Sequence, residues 1–272
     1  MVEECSAGVK TGSRKNDGMR LLPQATGNGK YHEYSPHRHD EIAMSLFSAP
    51  DLIALFVFLL TWFGYATVIE RTSYGRKALN SRINDYRGEW MRQALGRDVR
   101  IIDGNIAASL QNGTAFFAST SLLAIGGSVA LLGSGDEMIH LIDNINLPLG
   151  MESSRVQWEI KSIGLTVIFI YAFFKFAWCY RLYNYLVIMI GAMPPSSKKN
   201  DPKAKAYVRR ASKVCYSAGR SFNRGQRAFF FALGYLGWFV TPWLLLVTTA
   251  AVVAVMWLRQ FNSDAYAAIT DV

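Results

Sequence analysis

The chain has 272 residues, a net charge of +9 and 51% hydrophobic residues. The apolar residues are gathered into four long runs, a pattern that excludes an ordinary soluble basic domain. The excess charge lies between those runs, where the rim of a membrane protein accounts for it, so nucleic-acid binding is not required.

Residues 1–49 form a polar tail, read as disordered, with six basic and six acidic residues and no secretory signal. His32, His37 and His39 stand there beside Asp40 and Glu41, but their spacing matches no rigid metal site. The first apolar run is Asp51 to Ile69 and the second Thr114 to Leu132. The third extends from about Ser162 to Met193 and the fourth from Ala228 to Leu258. A helix needs roughly 20 apolar residues to cross hydrocarbon, and runs of this length argue against short barrel strands. The predicted class is all-α: a four-helix transmembrane bundle with amphipathic cytoplasmic surface helices. Spans are placed at about 51–69, 114–132, 163–191 and 229–258, within a membrane domain of residues 50–265 followed by a tail of residues 266–272.

Basic residues set the orientation. The connection 70–113 holds eight Lys and Arg and the connection 194–227 holds ten, whereas 133–161 holds two against five acids. Lys and Arg are retained in the cytoplasm, so the first and third connections face inward and both termini are expected outside. Cys5, Cys179 and Cys215 fall on different sides of the membrane or inside it, which predicts no disulfide.

Within the first connection Leu79, Ile83, Tyr86, Trp90 and Ala94 recur at spacings of three and four, predicting a membrane-surface helix over 79–95 with Trp90 turned toward lipid or bundle. Val99, Ile102, Ile106 and Leu110 predict a second short helix. Asp201 followed by Pro202 is a helix start, and Tyr207, Ala211, Val214 and Ala218 continue one face. Basic helices beside spans either bind anionic headgroups or simply enforce topology while packing on each other. In the second span Ser119, Gly126 and Ala130 share a side, and Gly237 stands in the fourth, as small residues that permit close helix packing or a dimer seam. Pro242 predicts a kink in the fourth span.

Two clusters of charge are candidate polar, lipid or ion contacts. Lys175 and Arg181 lie in the third run, where each either snorkels to the headgroups or faces a polar cavity or lipid phosphate. Arg97, Asp98, Arg100 and Asp103 precede the second span, and Asn223, Arg224, Gln226 and Arg227 precede the fourth. Either Asp98 or Asp103 is expected to pair with Arg224 or Arg227, leaving surplus arginines for an anion or lipid phosphate; the alternative is that each arginine is a solvated charge.

Several blocks carry a resemblance: Arg87-Gly88-Glu89-Trp90-Met91, RDVRIID at 97–103, FFASTSLLAIGG at 116–127, FNRGQRAFFFALGYLGW at 222–238 and RQFNSDA at 259–265. Together they resemble a family of bacterial and plant multi-pass membrane proteins called domain of unknown function 599. The resemblance implies a four-span protein of the bacterial inner membrane and supplies no activity and no catalytic residues.

No phosphate loop, dinucleotide fingerprint or nucleophile triad is present, and the fourth histidine, His140, stands alone. The expected reading is a protein that is not an enzyme and has no cofactor and no metal. It is a scaffold or accessory subunit contacting anionic lipid headgroups, a membrane-protein partner or a second copy through its basic helices. The alternative is a small oligomeric anion transporter or channel, with Lys175, Arg181 and the Pro242 kink lining its path.

Overall fold

The computed structural model describes residues 47–137 and 154–270, and all the regular structure in them is helical. The helices are α1 (Ala49–Arg71), α2 (Ser73–Lys77), α3 (Leu79–Gly96), α4 (Ile101–Gly133), α5 (Arg155–Gly191), α6 (Pro202–Tyr235), α7 (Gly237–Val240), α8 (Pro242–Phe261) and α9 (Asp264–Thr270). The tail histidines, His140 and Cys5 lie outside the described residues. Four segments are long and apolar enough to cross a membrane: α1, α4, α5 and Pro242–Thr270.

Local chemistry sets the helix starts. Ser48 caps α1 by accepting from the Asp51 amide, Asp201 caps α6 by accepting from the Lys203 amide at 2.8 Å, and Thr241 caps α8 by accepting from the Leu244 amide at 3.0 Å. Each of these three helices carries proline in its first turn, where no amide donor is needed.

The bundle has two layers stacked end to end. The apolar layer gathers Phe58 of α1, Phe169 and Phe176 of α5, Phe231 and Tyr235 of α6, Trp238 of α7 and Leu245 of α8. The second layer gathers Met91 and Leu95 of α3, Ala107 of α4, Cys179 and Leu186 of α5, and Val208 and Cys215 of α6. Helices α4, α5 and α6 have 33, 37 and 34 residues. At 1.5 Å per residue each is about 50 Å or longer, well beyond a hydrocarbon core of about 30 Å, so all three pass through both layers.

The fourth apolar run corrects the sequence reading. It is not one helix kinked at Pro242: the chain leaves α6 at Leu236, makes the short α7, and passes through extended Thr241 (φ −152°, ψ 156°) into α8. Helix α8 then doubles back along α6. The Thr248 hydroxyl donates to the Gly234 carbonyl at 2.7 Å, and the Arg259 guanidinium lies over the Phe230 ring at 5.5 Å. Residues Tyr65 and Ile69 of α1 converge with Met256 and Arg259 of α8, so these two helices run in the same direction. Residue 51 and residue 261 therefore stand at opposite ends of the bundle.

Two other expectations change. Helix α3 forms where the periodicity predicts it, but its buried positions are Gly88, Met91, Ala94 and Leu95, while Tyr86 is exposed. Its apolar face packs on α6 of the second layer rather than lying free on a membrane, because Gly88 lets the Tyr216 hydroxyl approach where any Cβ would stand 2.1 Å away. On α4, Ser119, Gly126 and Ala130 are exposed, and a Cβ at Gly126 would meet nothing within 4 Å. The face turned to α5 instead carries Ala107, Thr114, Ser121 and Ser128, each seven residues apart, with Thr166 donating to the Ser128 hydroxyl at 2.9 Å. Gly237 is buried, with Leu244 O only 2.8 Å from where its Cβ would be, at the tightest point of the hairpin.

Glycine substitutions should separate the two environments. A Cβ at Gly225 would stand 2.7 Å from the Phe176 ring, which is held between Phe117 at 5.3 Å and Phe222 at 5.6 Å and cannot retreat. Gly225→Ala is expected to cost about 1–3 kcal/mol by overpacking, whereas Gly126→Ala is neutral or slightly stabilising. Thermal unfolding in one detergent, followed by circular dichroism, reads both.

Candidate functional site: a charged belt and an apolar groove

Where α1 leaves the apolar layer, Glu70 receives two arginines of α6. Arg224 donates through Nε to both carboxylate oxygens at 3.0 and 3.1 Å and also through Nη2, and Arg227 donates through Nη2 to Oε1. The Arg227 side chain is only 11% exposed and Arg224 is 37% exposed, so the pair spans the edge of the core. Arg71 follows on the same helix end, exposed.

The expected pairing of Asp98 or Asp103 with Arg224 or Arg227 does not form. Asp103 is fully buried and receives Arg97 and, at 2.8 Å, the Trp90 indole; its Oδ2 has no protein partner. Asp98 accepts from Ser196. Arg100 donates to the carbonyls of Ala94 at 2.9 Å, Met193 at 3.2 Å and Pro194 at 2.6 Å, tying the end of α3 to the end of α5. The separation follows from helix length. Phe117 of α4 meets Phe222 at 5.4 Å, and Asp103 lies fourteen residues before it, about 21 Å along the helix.

Lys175 and Arg181 do not face a common path. The Lys175 ammonium lies 5.0 Å over the Tyr171 ring. Arg181 is exposed, donates to the Tyr185 hydroxyl at 2.7 Å and lies over that ring. Pro242 is far from both, at the opposite end of the apolar layer.

Tyr171, Glu70, Arg71, Arg224 and Arg227 all border one end of a groove of about 680 Å³ between α1, α5 and α6. Phe58, Trp62 and Tyr235 form its floor, and Phe63, Ile163 and Val167 are exposed along its lips. Along α1 it reaches from Leu55 to Arg71, about 24 Å at 1.5 Å per residue. A second cavity of about 100 Å³ lies on the other side of Arg227, lined by Asn80, Asn223, Gln226, Arg259 and Gln260.

Sequence reasoning missed four charged residues, of which Asp51 and Lys161 are buried and Glu70 and Arg87 are not. At the far end of the apolar layer Asp51 accepts from the Trp238 indole at 2.9 Å, and the buried Lys161 ammonium lies 5.4 Å over that indole ring. Glu70 directly follows an apolar run and reads as the first loop residue. In the second layer Arg87 donates to Asn84 at 2.7 Å and stands against Gly219, where any Cβ would clash with its guanidinium. The nearby Cys215 is buried, and burial raises its thiol to a pKa of about 11. It is therefore protonated at neutral pH, and in a Cys5→Ser background maleimide at pH 7.5 should label the folded protein far more slowly than the denatured protein. Among the described residues no group of His, Cys, Asp and Glu is arranged to hold a metal ion.

The model of the family described as "Protein of unknown function, DUF599" matches residues 53–265. The chain belongs to the DUF599 family. No curated protein and no solved structure matches it. The match to DUF599 begins within α1 and ends in α9, so the belt, the groove and both layers all lie inside the family's domain.

Proposed function

We propose that this DUF599 protein is a non-enzymatic membrane interaction protein whose second layer stands in the cytoplasm and engages an acidic protein partner. The observation that carries this is the surface of α6. Lys203, Arg209, Arg210, Lys213 and Arg220 are exposed within an arc of roughly 120° of the helix wheel, and none pairs with a carboxylate among the described residues. Lys198 and Lys199 extend the same charge just before it.

The orientation rests on the distribution of Lys and Arg. Both basic connections belong to the second layer, so that layer is cytoplasmic. Residue 51 is then outside and residue 261 inside. The segment from about Phe222 to Val240 crosses outward and α8 crosses back, which makes five crossings in all. Lys175 stands near the inner surface beside the belt, and Arg181 lies beyond it.

Geometry favours a protein over a lipid at the stripe. From Pro202 to Arg220 the helix extends about 27 Å, several times the Debye length of about 8 Å at physiological salt, so headgroups do not hold its far end. A single-stranded nucleic acid would want exposed rings for stacking. Tyr207, beside the stripe, already donates to the Met189 carbonyl at 2.9 Å and carries Arg210 over its ring.

The test is photo-crosslinking in native membranes from a reactive residue at position 206. Crosslinks to an acidic segment of one protein, lost in the Lys203→Glu/Arg210→Glu/Lys213→Glu variant, support the reading. Crosslinks to RNA or lipid alone, or crosslinks indifferent to charge reversal, refute it.

A further inference from the structure

We propose that the groove between α1, α5 and α6 is a binding site for one anionic phospholipid of the leaflet at the belt, with an acyl chain along α1 and the phosphate at the belt. This site is separate from the α6 stripe, so either assignment can fail without the other.

The walls and the end of the groove differ in kind. For most of its length the groove offers hydrocarbon only, with aromatic side chains beneath and aliphatic ones at the lips, which suits a tail that loses nothing by leaving bulk lipid. Its length of about 24 Å exceeds the depth of one leaflet, about 15 Å, so it suits a single extended chain following the helix rather than a compact solute.

At the belt the chemistry becomes cationic. Arg71, Arg224 and Arg227 line the groove with one carboxylate, Glu70, and Lys175 lies over the ring of Tyr171, which lines it too. Arg71 and Lys175 are in no ion pair among the described residues. Arg227 is 9% exposed, and one of its five N–H groups donates to Glu70; the guanidinium has further donors to offer and borders both cavities. A phosphate supplies the acceptor oxygens that such a cluster requires, and a bidentate arginine contact fixes its place. An uncharged or zwitterionic headgroup leaves the surplus positive charge uncompensated. A free phosphate satisfies the arginines and leaves the apolar groove unfilled.

The arrangement also gives Lys175 a reason to interrupt an apolar helix. It stands one turn past Tyr171, at the level where the headgroup would lie.

Delipidated full-length protein in detergent, titrated with phosphatidylglycerol or phosphatidylcholine and followed by native mass spectrometry, tests the assignment. The expected result is one retained phosphatidylglycerol with a preference of about tenfold over phosphatidylcholine. Arg71→Gln/Arg224→Gln/Lys175→Gln, which keeps the Glu70–Arg227 pair, should reduce that preference to about twofold while the chain retains its helicity. Thr67→Trp, at the exposed junction of groove and belt, should exclude both lipids. A preference unchanged in the triple variant, equal retention of both lipids by the native protein, undiminished retention by Thr67→Trp, or displacement of phosphatidylglycerol by an equal concentration of inorganic phosphate would each overturn the proposal.

Discussion

A reporter active only in the cytoplasm, joined after residue 270, is expected to be active, and the same reporter placed ahead of residue 47 is expected to be silent. The effect is all or none, because a fused domain either crosses the membrane or does not. Its basis is the reversal at Leu236–Thr241. The bond from Thr248 to the Gly234 carbonyl and the stacking of Arg259 on Phe230 oblige α8 to return along α6. The Asn80 amide, which donates to the Gln260 side chain at 3.3 Å, ties the end of α8 to the start of α3 in the basic layer. With the basic layer inside, as proposed, placing residue 270 outside would require breaking all three contacts. Two silent fusions, or two active ones, in a stably inserted protein would show that the hairpin is not the native arrangement.

Removing the carboxylate at the belt should be the most damaging single change to stability. Glu70→Ala leaves Arg227, with its side chain 11% exposed, as an uncompensated charge at the core edge. Breaking such a pair from one side costs about 3–5 kcal/mol. Arg224 is 37% exposed and bonds to the same carboxylate from the wetter side, so Arg224→Gln should cost no more than about 1 kcal/mol. Replacing both members of this part-buried pair, Glu70→Leu with Arg227→Met, should recover most of the loss, since apolar groups of similar volume often match a buried ion pair. Unfolding midpoints of the four proteins in one detergent give the comparison. An unchanged midpoint for Glu70→Ala would mean that the belt does not hold α1 to α6.

What the sequence disclosed follows from which signals hydropathy carries. Helices α1, α4 and α5 are legible because their apolar runs of about 19 residues or more match the length a helix needs to cross hydrocarbon, and α3 is legible from its periodicity. The hairpin is not legible, because Arg224 and Arg227 make the start of its first arm look like a soluble loop. Glu70, the carboxylate that answers them, lies more than 150 residues earlier in the chain. The packing face of α4 was misjudged for a related reason. Two seven-residue stripes run along that helix, and the choice between them depends on where α5 places Thr166 and Cys179. In sequence Asp51 and Lys161 stand at the margins of apolar runs, whereas in the structure both are buried against Trp238.

Helix α6 continues unbroken from the groove to the far tip of the second layer, and this makes it a lever with its fulcrum at the charged belt. Its arm from Arg224 to Pro202 is about 33 Å, so a tilt of roughly ten degrees would carry the tip about 6 Å. Arg224 and Arg227 at the groove and the outlying lysines and arginines are thus carried on one unbroken helix.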